Sequence, residues 1–134
     1  MSNLVSADAA AIIAVAFCML MGALAVFQAA LIAGVPIGQF AWGGRDRILP
    51  TRKRIGSATS IALYAAFALL VLQRADLITV IPWPDFTNIA IWVLAAYFVL
   101  GIIINGISRS LPERWTMAPL CALLAALTVL VALG

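Results

Sequence analysis

Residues 9–44 read AAAIIAVAFCMLMGALAVFQAALIAGVPIGQFAWGG, 36 positions without a charged side chain, and residues 45–54 read RDRILPTRKR. A membrane crossing needs about 20 consecutive apolar residues, so the first stretch holds one crossing with chain to spare. The second is a basic cluster that belongs in water. The same alternation continues outward. Residues 55–73 and 89–108 are uncharged, and between them lies a polar hairpin running from Arg74 and Asp76 through Pro82, Trp83, Pro84 and Asp85 to Asn88. Arg109, Glu113 and Arg114 make a third break, and residues 115–134 are again uncharged. The three later runs hold 19 or 20 residues each, roughly 30 Å of helix, the thickness of the hydrocarbon layer. Their backbone must be helical, because no water reaches a loose amide there.

Composition agrees. Of 134 residues 66% are hydrophobic and 10% charged, with two Cys and no His. Soluble domains carry about 25% charged residues, so a water-soluble fold, a disulfide scaffold and a zinc module are all excluded. The expectation is one all-α membrane domain over residues 1–134, with helices over 8–33, 51–74, 88–107 and 113–133.

Lys and Arg set the orientation. The first connection holds Arg45, Arg47, Arg52, Lys53 and Arg54 and the third holds Arg109 and Arg114, against Arg74 alone in the second. Under the positive-inside rule, connections one and three face the cytoplasm and both termini face outward. Trp42 and Trp115 fall at the inner boundary and Trp83 at the outer one, where amphipathic rings belong. The N-terminal run has no basic leader and is too long for a signal-peptide core, so no cleaved signal is expected.

The two inner turns also resemble each other. Residues 44–52 and 106–114 both fit G-x-x-R-x-L-P-x-R, five identities in nine at an offset of 62. The chain therefore reads as two tandem parallel helical hairpins, about 1–73 and 74–134, related by an axis along the membrane normal. Pro50 and Pro112 mark the starts of helices two and four, since proline's missing amide has no partner in a first turn anyway. Arg47, Arg52, Arg109 and Arg114 would then meet at the cytoplasmic face, with guanidiniums suited to an anionic lipid headgroup or another phosphate. The plainer reading is that they are ordinary snorkelling anchors.

The halves differ in length. A straight helix over residues 9–44 would span about 54 Å, so Gly34 and Pro36 should end it near residue 33. Residues 35–44 then form a bent or interfacial segment, read most simply as a linker. A re-entrant piece would need a protein-lined cavity.

Chemistry-bearing groups are few. No charged side chain lies within a span, which argues against proton-coupled transport and voltage sensing. Gln28 and Asn105 are the main intramembrane polar groups. Gln28 is expected to hydrogen-bond a neighbouring helix and Asn105 to end its own. Cys18 and Cys121 have no basic neighbour and read as small buried hydrophobes. No catalytic residue, metal ligand set or cofactor is indicated, and no nucleic-acid partner.

In size the chain looks like the small multidrug-resistance exporters, but the acidic residue their first helix uses is absent. The stretches Ala41-Trp42-Gly43-Gly44-Arg45, Ile48-Leu49-Pro50 and Asn105 through Arg114 resemble a group of bacterial four-helix membrane proteins without an assigned activity. That resemblance implies a bacterial inner membrane. Small-residue ridges such as Ala58, Ala62, Ala65 and Ala66 suit close helix packing. The function expected first is therefore non-catalytic: assembly with membrane lipids around it, as a homo-oligomer or an accessory subunit. The alternative is a binder or transporter of a lipid or apolar small molecule, which requires a cavity between the hairpins near Gln28.

Overall fold

Each run bounded by charges becomes one helix. In a computed structural model, which describes residues 4–134, the helices are α1 (Ala7–Ile32), α2 (Thr51–Arg74), α3 (Pro84–Gly106) and α4 (Leu111–Ala132). All four are long and apolar enough to cross a membrane. Their outward faces carry large apolar side chains such as Ile12, Met19, Val26, Ile89, Val93 and Ile103, each more than half exposed. An apolar surface this continuous is not sustained in water and suits lipid.

The helix ends follow from local chemistry. Ser6 caps α1, its hydroxyl accepting from the Ala9 amide at 3.1 Å. At the other end Gly34 takes φ +92°, with Val35 N–H donating to Ala30 O at 3.0 Å and Gly34 N–H to Leu31 O at 3.1 Å. This left-handed stop closes α1 at Ile32, and glycine bears the positive φ without strain. Asp76 (φ +63°) ends α2 in the same way, with Leu77 N–H on Leu72 O at 2.9 Å. Pro84 opens α3 four residues earlier than expected from residue 88, because proline fits a first helical turn. Pro50 directly precedes α2, and Pro112 is the second residue of α4.

The hairpin after α2 is tied by side chains. Gln73 Oε1 accepts from Val80 and Ile81 N–H at 2.7 and 3.0 Å. Arg74 Nη2 donates to the carbonyls of Ala132 and Gly134 at 2.8 and 3.1 Å. The one cation of this connection therefore caps the C-terminus of α4, where helix carbonyls lack partners and favour positive charge.

Helix α1 packs chiefly on α2 and α3 on α4, while α1 also touches α4 and α2 touches α3. The interior is not uniform. Around Ala14, Phe17, Met21, Val71, Ile91, Leu94 and Val131 it is solid, toward the end where α1 and α3 begin. Phe98 makes edge-on contacts with Phe17 at 5.8 Å and Phe67 at 5.9 Å, joining α1, α2 and α3. Toward the basic end the helices do not fill the space between them.

Residues 34–50 close that basic end, and they are more than the linker expected from sequence. Two single 3₁₀ turns, Gly38–Phe40 and Trp42–Gly44, lie against α4. The loop is clamped at its base by Gly38 N–H donating to Arg47 O at 2.8 Å. Trp42, Gly43 and Gly44 are all left-handed (φ +53°, +77°, +72°). For tryptophan this conformation costs on the order of 1 kcal/mol and persists only where surroundings impose it. Here the ring lies against Gly56 of α2, and Trp42 Nε1 donates to the buried Ser57 hydroxyl at 3.4 Å. A Cβ on Gly56 would fall 2.6 Å from the ring.

Candidate functional site

The unfilled half of the bundle is a half-open chamber of about 280 Å³, close to the lower end of the range for small-molecule sites, with Tyr97, Leu100 and Ile104 of its wall each more than half exposed. Six aromatic residues line it: Phe27 of α1, Tyr64 of α2, Tyr97 and Phe98 of α3, and Phe40 and Trp42 of the closing loop. Each helix gives its basic-end half to the wall. The loop supplies the floor, so the left-handed turn at Trp42 shapes the chamber.

Besides the tyrosine hydroxyls and the Cys121 thiol, four polar side chains line it: Gln28, Ser60, Asn105 and Glu113. Gln28 is only 8% exposed and its Nε2 donates to the Tyr64 hydroxyl at 3.1 Å, linking α1 to α2. Its Oε1 is buried and has no partner among the described residues. A tyrosine hydroxyl satisfies one end of the amide whichever way round it stands, so one end is left over. A buried polar group in that condition costs about 1–3 kcal/mol until something bonds to it.

Asn105 is the last residue but one of α3, which ends at Gly106. Its Nδ2 donates to Gly101 O at 2.8 Å and reaches Cys121 Sγ of α4 at 3.5 Å. The helix does end here as expected, but no left-handed residue follows Asn105, and its amide bridges α3 and α4 instead.

In the sequence Glu113 is only part of the third charged break, yet it is buried, with 5% exposure. Its Oε2 accepts from Gly43 N–H at 2.9 Å, which ties the closing loop to the first turn of α4. The signal for a special role was the S-x-x-E spacing of Ser110 and Glu113 at a helix start. Ser110 caps α4, its hydroxyl accepting from Glu113 N–H at 3.4 Å. The second half of the usual reciprocal pair is missing, because Glu113 reaches across to Gly43. The Ser110 hydroxyl also donates to Gln39 O, a second tie between loop and helix.

Beyond Glu113 lies a second, open hollow of about 510 Å³, lined by Arg45, Lys53 and Arg109. Trp42, Ile104 and Glu113 line both spaces and form the partition between them. Of the four arginines picked out by the repeated turn, only Arg109 lines this hollow. Arg47 and Arg52 are exposed elsewhere on the basic end. Arg114 is committed to Ser108 O, through Nη2 at 2.7 Å and Nε at 3.1 Å. Arg54 similarly donates to Leu49 O at 2.8 Å. Arg45, absent from the sequence-based set, joins Arg109 because the loop folds back against α4. Nothing in the repeat signals that.

The chain matches no known protein family, no curated protein and no solved structure. Its functional reading therefore rests on this site.

Proposed function

We propose that the chain is a non-catalytic membrane protein that binds a lipid or apolar small molecule in the chamber between its four helices. The observation that carries the reading is the pairing of an aromatic-lined space with an unsatisfied Gln28 amide on its wall. A ligand with an apolar body and a hydroxyl fits it. The hydroxyl both donates and accepts, so it completes Gln28, while the body takes up the space between the rings.

The test uses the full chain in an uncharged detergent, with Trp83, Trp92 and Trp115 replaced by Phe to leave Trp42 as the sole indole. Titrating chain-brominated dodecanol is expected to quench Trp42 fluorescence saturably. Ser60→Phe places a ring in the chamber and removes only a hydroxyl bonded to its own helix at Gly56 O, 3.1 Å away. It is expected to raise the half-saturating concentration at least tenfold, with helix content unchanged. Non-saturating quenching that ignores Ser60→Phe contradicts the reading.

The membrane we propose is a bacterial inner membrane, and the Lys/Arg asymmetry supports placing the basic end in the cytoplasm and both termini outside. The hairpins α1–α2 and α3–α4 then stand in tandem with the same orientation. A cysteine placed at Leu77 is expected to react with a membrane-impermeant maleimide in intact cells, and one at Arg47 only after lysis. The opposite pattern inverts the topology.

Assembly is the second reading, as a homo-oligomer or with another membrane subunit. What favours it is that Ala58, Ala62, Ala65 and Ala66 are all exposed, leaving a small-residue face of α2 uncovered. Such faces let helices approach closely. Mass measurement in detergent is expected to give a multimer that Ala62→Leu dissociates. A monomer with no co-purifying subunit counts against this reading.

A further inference from the structure

We infer that the open hollow at the basic end is a phosphate-binding subsite, so that the ligand of the chamber is an amphiphile carrying a phosphate ester. The inference rests on the chamber reading above and adds the chemical class of the head.

Arg45 and Arg109 come from different connections, yet both line this hollow. Neither has a hydrogen bond or ion pair among the described residues, whereas Arg54 and Arg114 beside them are spent on backbone carbonyls. Two unspent guanidiniums on one concavity are a planar, permanently charged donor set that matches phosphate oxygens. Lys53, the third cation, is held by Asp46 at 2.6 Å. With Asp46 and Glu113 counted against the three cations, one positive charge remains, and it resides on the unpaired arginines. Glu113 is already engaged by Gly43 N–H at 2.9 Å, on the partition and away from open water.

The partition gives the geometry its meaning. Because Trp42, Ile104 and Glu113 border both spaces, a head in the hollow lies one side chain from the chamber. An ester-linked chain passing that partition enters the aromatic space and runs toward Gln28. Free phosphate would use the same two guanidiniums without the chain, so the two sources share one chemistry and differ in what the chamber adds.

The experiment compares 12-hydroxydodecyl phosphate, 1,12-dodecanediol and inorganic phosphate on the full chain in uncharged detergent, read by Trp42 fluorescence and by titration calorimetry. Both organic probes offer the same far hydroxyl, so they differ only in the head. The phosphate ester is expected to bind at least tenfold more tightly than the diol. The double variant Arg45→Gln/Arg109→Gln should abolish that advantage while leaving diol binding unchanged. Arg47→Gln/Arg52→Gln, which removes the same charge from the same end, should preserve it. Inorganic phosphate should bind far more weakly than the ester; equal binding would make free phosphate the ligand and overturn the amphiphile. Equal binding of ester and diol overturns the subsite but leaves the chamber standing. Binding of neither overturns the chamber reading itself. Equal losses in both double variants reduce the effect to general surface charge and also overturn the subsite.

Discussion

Gly38→Ala is expected to destabilise the protein by about 3 kcal/mol, the upper end of what overpacking costs. A Cβ at this position would fall 1.8 Å from Asp46 O and 2.8 Å from Arg47 O. Both are backbone atoms, so no flexible side chain can swing away. Relief requires the two strands of the loop to separate, which breaks the 2.8 Å bond from Gly38 N–H to Arg47 O. Against a total stability of about 5–15 kcal/mol this is a large fraction. Gly22→Ala is the control. It lies within α1 with nothing within 4 Å of the added Cβ, and alanine is the better helix former by about 1 kcal/mol. Reversible denaturation in micelles should show Gly38→Ala unfolding far earlier than the parent protein, and Gly22→Ala no earlier. Unchanged stability of Gly38→Ala would mean that the loop is not clamped at its base.

Glu113→Ala should have the second large effect, and a more local one. The substitution removes the acceptor of Gly43 N–H and leaves that amide without a partner between loop and α4. Bonds to a charged group contribute about 1.5–3 kcal/mol, and the acidic first-turn residue adds about 0.3–1 kcal/mol through the helix dipole. Relief from desolvating the carboxylate offsets part of this in the global stability. Local opening is therefore the sharper readout. Hydrogen exchange at Gly43 should accelerate about 10–30-fold, the equivalent of about 1.4–2 kcal/mol. Glu113→Gln keeps an oxygen acceptor and should recover much of the protection. Unchanged exchange at Gly43 in Glu113→Ala would show that the carboxylate does not hold the loop.

These two residues mark where the sequence stops being readable. The four helices follow from charge placement alone, because a charge cannot rest in hydrocarbon and an amide there must be bonded. The stop of α1 near Gly34 was legible for the same kind of reason, since a glycine-proline pair breaks a helix that is too long for the bilayer. The loop after it was not. Its shape depends on a tryptophan in a left-handed conformation, held by Gly56 and Ser57 of another helix, and no local preference announces that. Gln28 stood out because an amide in an apolar run needs a partner, and Tyr64 on α2 provides it. Asn105 was legible as the place where α3 ends but not as a bridge, because its partner Cys121 lies on the next helix. The repeated turn directed attention to Arg47, Arg52, Arg109 and Arg114 by their position in a pattern. Which cations stay unspent is decided instead by nearby carbonyls, which take Arg54 and Arg114, and by a loop fold that brings Arg45 to the hollow with Arg109.

The central claim is that the basic half of this bundle is hollow in order to hold a ligand. Its most direct test is to crystallise the protein with a terminally brominated dodecanol and locate the bromine by anomalous scattering. The account predicts a bromine peak at the end of the chamber away from Gln28, beside Trp42, Ile104 and Met117, that disappears in Ser60→Phe. Bromine found only along the lipid-facing surfaces of α1 to α4, with the chamber closed by its own side chains, would contradict it.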